Sequence, residues 1–361
     1  MENDLSSIQA RELDQFIEDH LLPDLTFLTE VRADVELIGA FLEERCFQGA
    51  DHPMRVSRVV MGGSYDEHTA LKGKSEAKMV VFFNNLASFE EQLKRRGEFI
   101  EEIREHLCQL QHEKQCKLKF EVQSSEEPNS RSLSFKLSSP QLLQEVEFDV
   151  QPAYDALYEL RNNKYAEPQL YNKIYTQLIH ECTTLEKEGE FSICFTDLHQ
   201  NFLRYRTSKL WDLIRLVKHW YQLCKEKLRE PLPSLYALEL LTVYVWELSN
   251  KNQEKTTAKS FRTVLELVAY YKDLRIYWTW YYDFRHEEVS AYLQKQVKKA
   301  RPLILDPADP TRNVAGSDLQ AWDLLAKEAQ IWMQSSCFRN CDMSFVPTWN
   351  LSPEKHECVF Q

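Results

Sequence analysis

The hydrophobic pattern of this chain changes period once, near residue 153, and that change restricts what it can fold into. Before it, strand-like runs at 56–60, 79–83, 117–122, 132–137 and 146–150 interleave with amphipathic helical stretches at 13–45 and 88–111, the first split in two by Pro23. Beyond it strand signals nearly vanish. Residues 172–180, 195–203, 209–226, 234–248, 257–271, 287–299 and 318–333 all space their apolar side chains at helical intervals. The expectation is an α+β chain, with a mixed β-sheet flanked by helices over residues 1–158 and an all-helical lobe over 159–346. Polar loops are expected at 126–131 and 248–257. The segment after Cys337-Phe338-Arg339 reads as poorly structured, with a flexible tail over 347–361. At 361 residues each lobe can bury its own core.

The chemistry-bearing feature is a charge reversal. Gly62-Gly63-Ser64 leads through a basic loop to Ser75-Glu76-Ala77-Lys78, just before the apolar strand Met79-Val80-Val81-Phe82-Phe83. A Gly-Gly-Ser turn lets backbone N–H groups approach a triphosphate, and two carboxylates one residue apart on a strand share a side and can hold metal ions. Here the second position is Lys78. A further carboxylate follows in Val146-Glu147-Phe148-Asp149-Val150, an alternating strand with Glu147 and Asp149 on one face. Three carboxylates would offer two dications a formal −3, whereas Glu76, Lys78 and Asp149 sum to −1. Each swap of carboxylate for ammonium turns attraction into repulsion at roughly 4 Å, about 4 kcal/mol per charge pair at an effective dielectric near 20. The site reads as assembled and then disabled: no metal is expected, and Mg2+ is not expected to bind. A solvated Glu76–Lys78 pair at a strand start is the plainer alternative.

The net charge of −12 disfavours indiscriminate nucleic-acid binding but leaves room for a local basic surface. Nine cysteines without a Cys-x-x-Cys pair indicate neither zinc nor a disulfide framework, but reduced and mostly buried thiols. The acidic start Met1-Glu2-Asn3-Asp4 has no signal-peptide character and no run reaches transmembrane length, so a cytoplasmic protein is expected. Cys358-Val359-Phe360-Gln361 has the outline of a prenylation box. Phe360 is not aliphatic and no polybasic stretch precedes it, so a free tail cysteine at Cys358 is the preferred reading.

Several long stretches together resemble the 2'-5'-oligoadenylate synthase family, in particular its small single-unit members. They are Val59-Val60-Met61-Gly62-Gly63-Ser64, Arg95-Arg96-Gly97-Glu98-Phe99-Ile100, Val146-Glu147-Phe148-Asp149-Val150, Arg215-Leu216-Val217-Lys218-His219-Trp220-Tyr221, Tyr236-Ala237-Leu238-Glu239-Leu240-Leu241-Thr242-Val243-Tyr244, and Pro302-Leu303-Ile304-Leu305-Asp306-Pro307-Ala308-Asp309-Pro310. The resemblance runs essentially end to end. It implies a nucleotidyltransferase-fold lobe plus a helical lobe, with double-stranded RNA binding across both and reshaping a site that polymerises ATP. It also implies aspartates where this chain has Glu76 and Lys78, and a donor-holding glutamine where it has Leu235. Asp149 is the sole matching metal carboxylate, so the implied protein is a pseudoenzyme. Gly62, Gly63, Ser64, Arg215 and Lys218 match what holds the nucleotide in active relatives. No cofactor is required, and these remnants are compatible with weak ATP binding without turnover.

Between Arg204 and Arg229 the chain has eight Lys/Arg and two acids, a local net of +6. Duplex RNA is read through 2'-hydroxyls and phosphates across its minor groove, which suits cations and hydroxyls on a rigid helical surface. By the resemblance, Arg204, Ser208 and Lys209 occupy RNA-touching positions, while Met61, Glu43 and Gln200 stand where active relatives carry basic residues. Retained but reduced affinity for double-stranded RNA is expected, serving antiviral defence. Cys337-Phe338-Arg339 resembles the family's association motif, so pairing with an active relative, or weak self-association, is an alternative role. An active nucleotidyltransferase relying on Glu76 and Asp149 is another.

Overall fold

A computed structural model describes residues 4–48, 54–63, 68–123, 133–162, 168–249 and 255–349. It divides into two compact units, one of Pro23–Arg204 and one joining Met1–Leu22 to Tyr205–Gln361. The helix α1 (Leu13–Phe16) runs into a π-helical turn at Ile17–Leu21 and stops where Leu22, held extended, precedes Pro23.

In the unit Pro23–Arg204, α2 (Leu25–Arg45) starts on Asp24, whose carboxylate accepts from the Thr26 and Phe27 amides at 2.8 and 3.1 Å. Its buried stripe is Phe27, Val31, Val35, Ile38 and Leu42. Strands β1 (Val56–Gly62) and β2 (Lys74–Phe83) are antiparallel neighbours. Next comes α3 (Phe89–Glu113), capped by Ser88 accepting from the Glu91 amide. Strands β3 (Lys119–Val122), β4 (Ser134–Ser139) and β5 (Gln144–Tyr154) complete a sheet of order β1-β2-β5-β4-β3, mixed because β2 and β5 are parallel.

One sheet face carries Ala77, Met79, Val81, Phe83, Phe135, Leu137, Val146, Phe148 and Val150 into a core shared with α2 and α3. Phe83 stacks on Phe99 with centroids 4.2 Å apart. The opposite face of the same strands, up to Lys78 on β2 and Asp149 on β5, is charged, so period-2 alternation puts the site's carboxylates and Lys78 on one side. Buried Asp34 of α2 accepts from the Lys117 and Leu118 amides, each at 2.8 Å, fixing the entry to β3.

The same unit takes in α4 (Tyr158–Asn162), α5 (Pro168–Leu185) and α6 (Thr196–Arg204). The boundary expected at residue 158 therefore differs from the division observed. The side chain of Gln92 shows why: its Oε1 accepts from the Tyr154 amide at 2.6 Å and from the Cys194 thiol at 2.9 Å. Phe89 packs on both Phe191 and Phe195, and Asp197 binds Arg58 of β1 through two oxygens at 2.9 and 2.8 Å.

In the other unit, α7 (Ser208–Leu228) and α9 (Thr257–Ala269) flank the almost wholly buried α8 (Leu235–Ser249). Two-residue strands β6 (Arg275–Ile276) and β7 (Leu303–Ile304) pair in parallel on either side of α10 (Glu287–Val297), and α11 (Leu319–Trp332) packs on α9. The chain's start belongs here too, through the Phe16–His219 ring contact and the Thr257 hydroxyl donating to Asp14. After α11 the chain does not loosen at residue 340. Arg339 bridges to Phe345, and Val346 and Trp349 are buried. Apolar Val346 and Trp349 hold a stretch that its polar neighbours Asn340, Asp342 and Ser344 had suggested was loose. Among the described residues no helix is long and apolar enough to cross a membrane. Eight described cysteines are free thiols, five of them buried. Ser64 and Cys358 lie outside the described residues.

Candidate functional site

The turn that ends β1 is built for close approach. Gly63 has φ +76°, a region costly for residues with a Cβ, and a Cβ on Gly62 would stand 3.2 Å from the Thr196 methyl carbon. The backbone of this turn thus favours glycine at 63, and the Thr196 methyl carbon leaves little room for a side chain at 62.

Beside the turn, strand register decides which charges meet. Glu76 is opposite Glu147, and Lys78 is opposite Asp149, in the parallel ladder of β2 and β5. On the far side of β5, Lys136 faces Glu147 and Ser134 faces Asp149. On the near side, Lys78 pairs with Gly62. Neighbouring strands lie about 4.8 Å apart, so the ammonium of Lys78 belongs to the same row as the Asp149 carboxylate. Asp149 accepts from the Gln151 side chain. Glu76, Lys78 and Glu147 are exposed and Asp149 is half-buried.

This donor set does not fit two divalent cations. The residue nearest Asp149 across the ladder is a cation, and a second cation, Lys136, stands beside Glu147. Among the described residues, the strand carboxylates do not gather into a group whose ligand oxygens approach within 4.8 Å of one another. Lys136 was not singled out from sequence. Its signal was present in the alternation Ser134, Lys136, Ser138, which places it on the charged face.

The helical residues expected to hold nucleotide phosphates lie in the other unit, and both carry acidic partners. Arg215 is bound to Asp212 one turn earlier at 2.7 Å, and burial lowers its pKa. Lys218 is 2% exposed and bound to Glu239 of α8 at 2.8 Å. Leu235, half-buried at the start of α8, offers no polar atom to a donor nucleotide.

The RNA-face residues are placed in two groups. Arg204 is exposed at the last residue of α6, and Ser208 and Lys209 are exposed in the first turn of α7. The basic stretch is less basic than its composition. Glu239 binds Lys218, Glu247 binds Arg206 and Glu328 binds Lys227, all from outside residues 204–229. Counting those three carboxylates reduces the local +6 to +3. In the unit Pro23–Arg204, Gln200 is buried and donates to the Met61 carbonyl at 2.6 Å. Met61 and Glu43 instead line a cavity of about 400 Å3 with Arg32, Val35, Glu36, Gly39, Ala40 and Val59.

The association motif is not displayed. Cys337 and Phe338 are both fully buried, with Phe338 on Phe261 at 5.1 Å, and burial pushes the Cys337 thiol up to about 11. Arg339, stacked 4.2 Å over the Phe345 ring, is the one member left partly exposed.

A family description, 2'-5'-oligoadenylate synthetase 1, domain 2, C-terminus, matches residues 168–354. Over its full length the chain is 85% identical to the whole of a mouse protein named inactive 2'-5' oligoadenylate synthetase 1C. It is 73% identical to mouse inactive 2'-5'-oligoadenylate synthase 1D, covering 96% of each chain. Identity to mouse 2'-5'-oligoadenylate synthase 1A is 60% over 97% of this chain and 95% of the other. Among solved structures, Escherichia coli MS115-1 CdnC in its complex with HORMA-deltaN superimposes with a TM-score of 0.57 at 14% identity, covering 91% of this chain and 90% of that one. That likeness carries the nucleotidyltransferase fold. The chain therefore belongs to the 2'-5'-oligoadenylate synthase family and, within it, is a pseudoenzyme, set among relatives that are named inactive.

Proposed function

We propose that this chain binds double-stranded RNA without polymerising ATP, and so modulates antiviral defence by sequestering RNA that active relatives would otherwise engage. The observation that supports the reading is the exposure of Ser208 and Lys209 in the first turn of α7, and, in the other unit, of Arg204 at the end of α6. Such groups suit the phosphates and 2'-hydroxyls of an A-form minor groove, which is read by shape rather than by base. Affinity below that of an active synthase follows from Glu43, Met61 and Gln200, none of which contributes a cation. No nucleotide cofactor is needed, since Arg215 and Lys218 already have carboxylate partners.

The test is binding of the purified full chain to a duplex of about 16 base pairs, the span of a typical shape-reading module, across a salt series. Expected is sequence-indifferent binding that weakens steeply with salt. No binding at low salt overturns the proposal. RNA-stimulated formation of oligoadenylate from ATP would overturn the pseudoenzyme assignment.

A further inference from the structure

We propose that Cys46, Glu102 and His106 form a binding site for a divalent transition ion of the zinc class, separate from the strand carboxylates. One ligand atom from each of the three, the Cys46 sulfur, a Glu102 oxygen and a His106 ring nitrogen, lies within 4.8 Å of the others. Among the described residues no other His, Cys, Asp or Glu group meets that criterion.

The elements that position the three are rigid. Cys46 closes α2, its amide bonded to the Leu42 carbonyl at 3.0 Å, and its side chain is fully buried. Glu102 and His106 are four residues apart on α3 and so share a face. His106 Nε2 is 3.1 Å from Glu102 Oε1, which also accepts from the Phe47 amide at 2.6 Å. His106 Nδ1 is buried with no hydrogen-bond partner. According to its tautomer, the ring can present either nitrogen to an ion.

The donor set selects the ion. Thiolate, imidazole and one carboxylate suit zinc, with bonds of about 2.0–2.3 Å, and do not suit Mg2+ or Ca2+, which take oxygen ligands. Charge also closes: a dication with one thiolate and one carboxylate is neutral, which removes the penalty for burying it. As the metal–sulfur bond forms, the Cys46 thiol releases its proton to solvent. The side chains of His106 and Glu102 remain 17% and 25% exposed, so one edge of the cluster reaches water, giving an entry path and a fourth ligand. Bound there, the ion would pin the end of α2 to the middle of α3 behind the sheet.

The test uses the reduced full chain and Co2+ as a spectroscopic stand-in for zinc. Expected are a thiolate-to-cobalt band in the near ultraviolet and the visible bands of tetrahedral cobalt, saturating at a single equivalent and bleached by Zn2+. His106→Gln, at a partly exposed position, should weaken cobalt binding at least about tenfold, since even loss of a supporting hydrogen bond typically costs that much. Cys46→Ser should abolish the ultraviolet band, and Cys108→Ser, at an exposed cysteine, should leave it unchanged. Zn2+ should raise the thermal midpoint of the native chain and not that of folded His106→Gln. Absence of the ultraviolet band from the native chain, or its survival at full strength in folded His106→Gln, overturns the proposal.

Discussion

Lys78 stands directly opposite Asp149 in the parallel ladder that joins β2 to β5. Where two carboxylates would draw metal ions together, one strand contributes an ammonium in the same row, and Gly62 completes that row from β1. The row that joins the two strands therefore carries charges of opposite sign side by side.

Replacing that one charge should be measurable. Lys78→Asp, titrated with Mn2+ and followed by electron paramagnetic resonance, is expected to bind the ion at least about tenfold more tightly than the native chain. Tenfold is about 1.4 kcal/mol, a conservative share of the roughly 4 kcal/mol for a charge pair at 4 Å, because Lys78 is exposed and screened. Unchanged binding would mean that geometry, not charge, keeps metal out.

Arg204→Ala and Lys209→Ala should each weaken duplex RNA binding and flatten its dependence on the logarithm of salt concentration by about 0.9 per phosphate contact removed. Lys227→Ala should change the slope little, because Glu328 already holds that ammonium at 2.8 Å. Equal effects from all three would place the RNA elsewhere.

Glu239→Gln leaves the buried Lys218 without its counter-charge, and urea denaturation should show a loss of about 3–5 kcal/mol. The double replacement Lys218→Met with Glu239→Leu should recover most of it. A single variant as stable as the native chain would show the pair to be more solvated than its burial implies.

Phe338→Ala should cost about 3–5 kcal/mol of stability, as expected for emptying a fully buried aromatic site. Sedimentation of the still-folded fraction should be unchanged. A shift in molecular mass without a stability loss would restore the association reading of Cys337-Phe338-Arg339.

Asp309 supplies a pH signature. Full burial, then the neighbouring Asp306, push its pKa from 3.8 up to about 6, while hydrogen bonds from Thr311 oppose the shift. The folded chain therefore holds this proton more tightly than the unfolded chain, so its stabilising contribution is present at low pH and is lost as pH rises between about 4 and 6. Asp309→Asn should flatten that part of the stability profile, measured by urea midpoints across pH, and gain up to about 3 kcal/mol at pH 7. An unchanged profile would assign the slope to other groups.

The parts of this molecule that announced themselves in sequence are those where one residue type fixes local geometry. Pro23 ends a helix, and alternation along 146–150 places Glu147 and Asp149 on one face. What stayed hidden depends on partners distant along the chain. Nothing around Lys218 signals that Glu239 will neutralise it, nor does the basic run reveal that Glu247 and Glu328 will bind Arg206 and Lys227. The paired strands at Arg275–Ile276 and Leu303–Ile304 are too short for any periodicity to show. Helical character begins after β5, whereas packing through Gln92, Phe89 and Asp197 keeps those first helices with the sheet, which no local pattern shows.

Gly62 has a second employer. The methyl group of Thr196 stands 3.2 Å from where its side chain would begin, so a bulkier residue is crowded whether or not a phosphate ever arrives. The glycine turn therefore does not by itself mark a working synthase, because a neighbour's bulk favours the same residue. The discriminating position is Lys78, which no packing constraint obliges the fold to disguise.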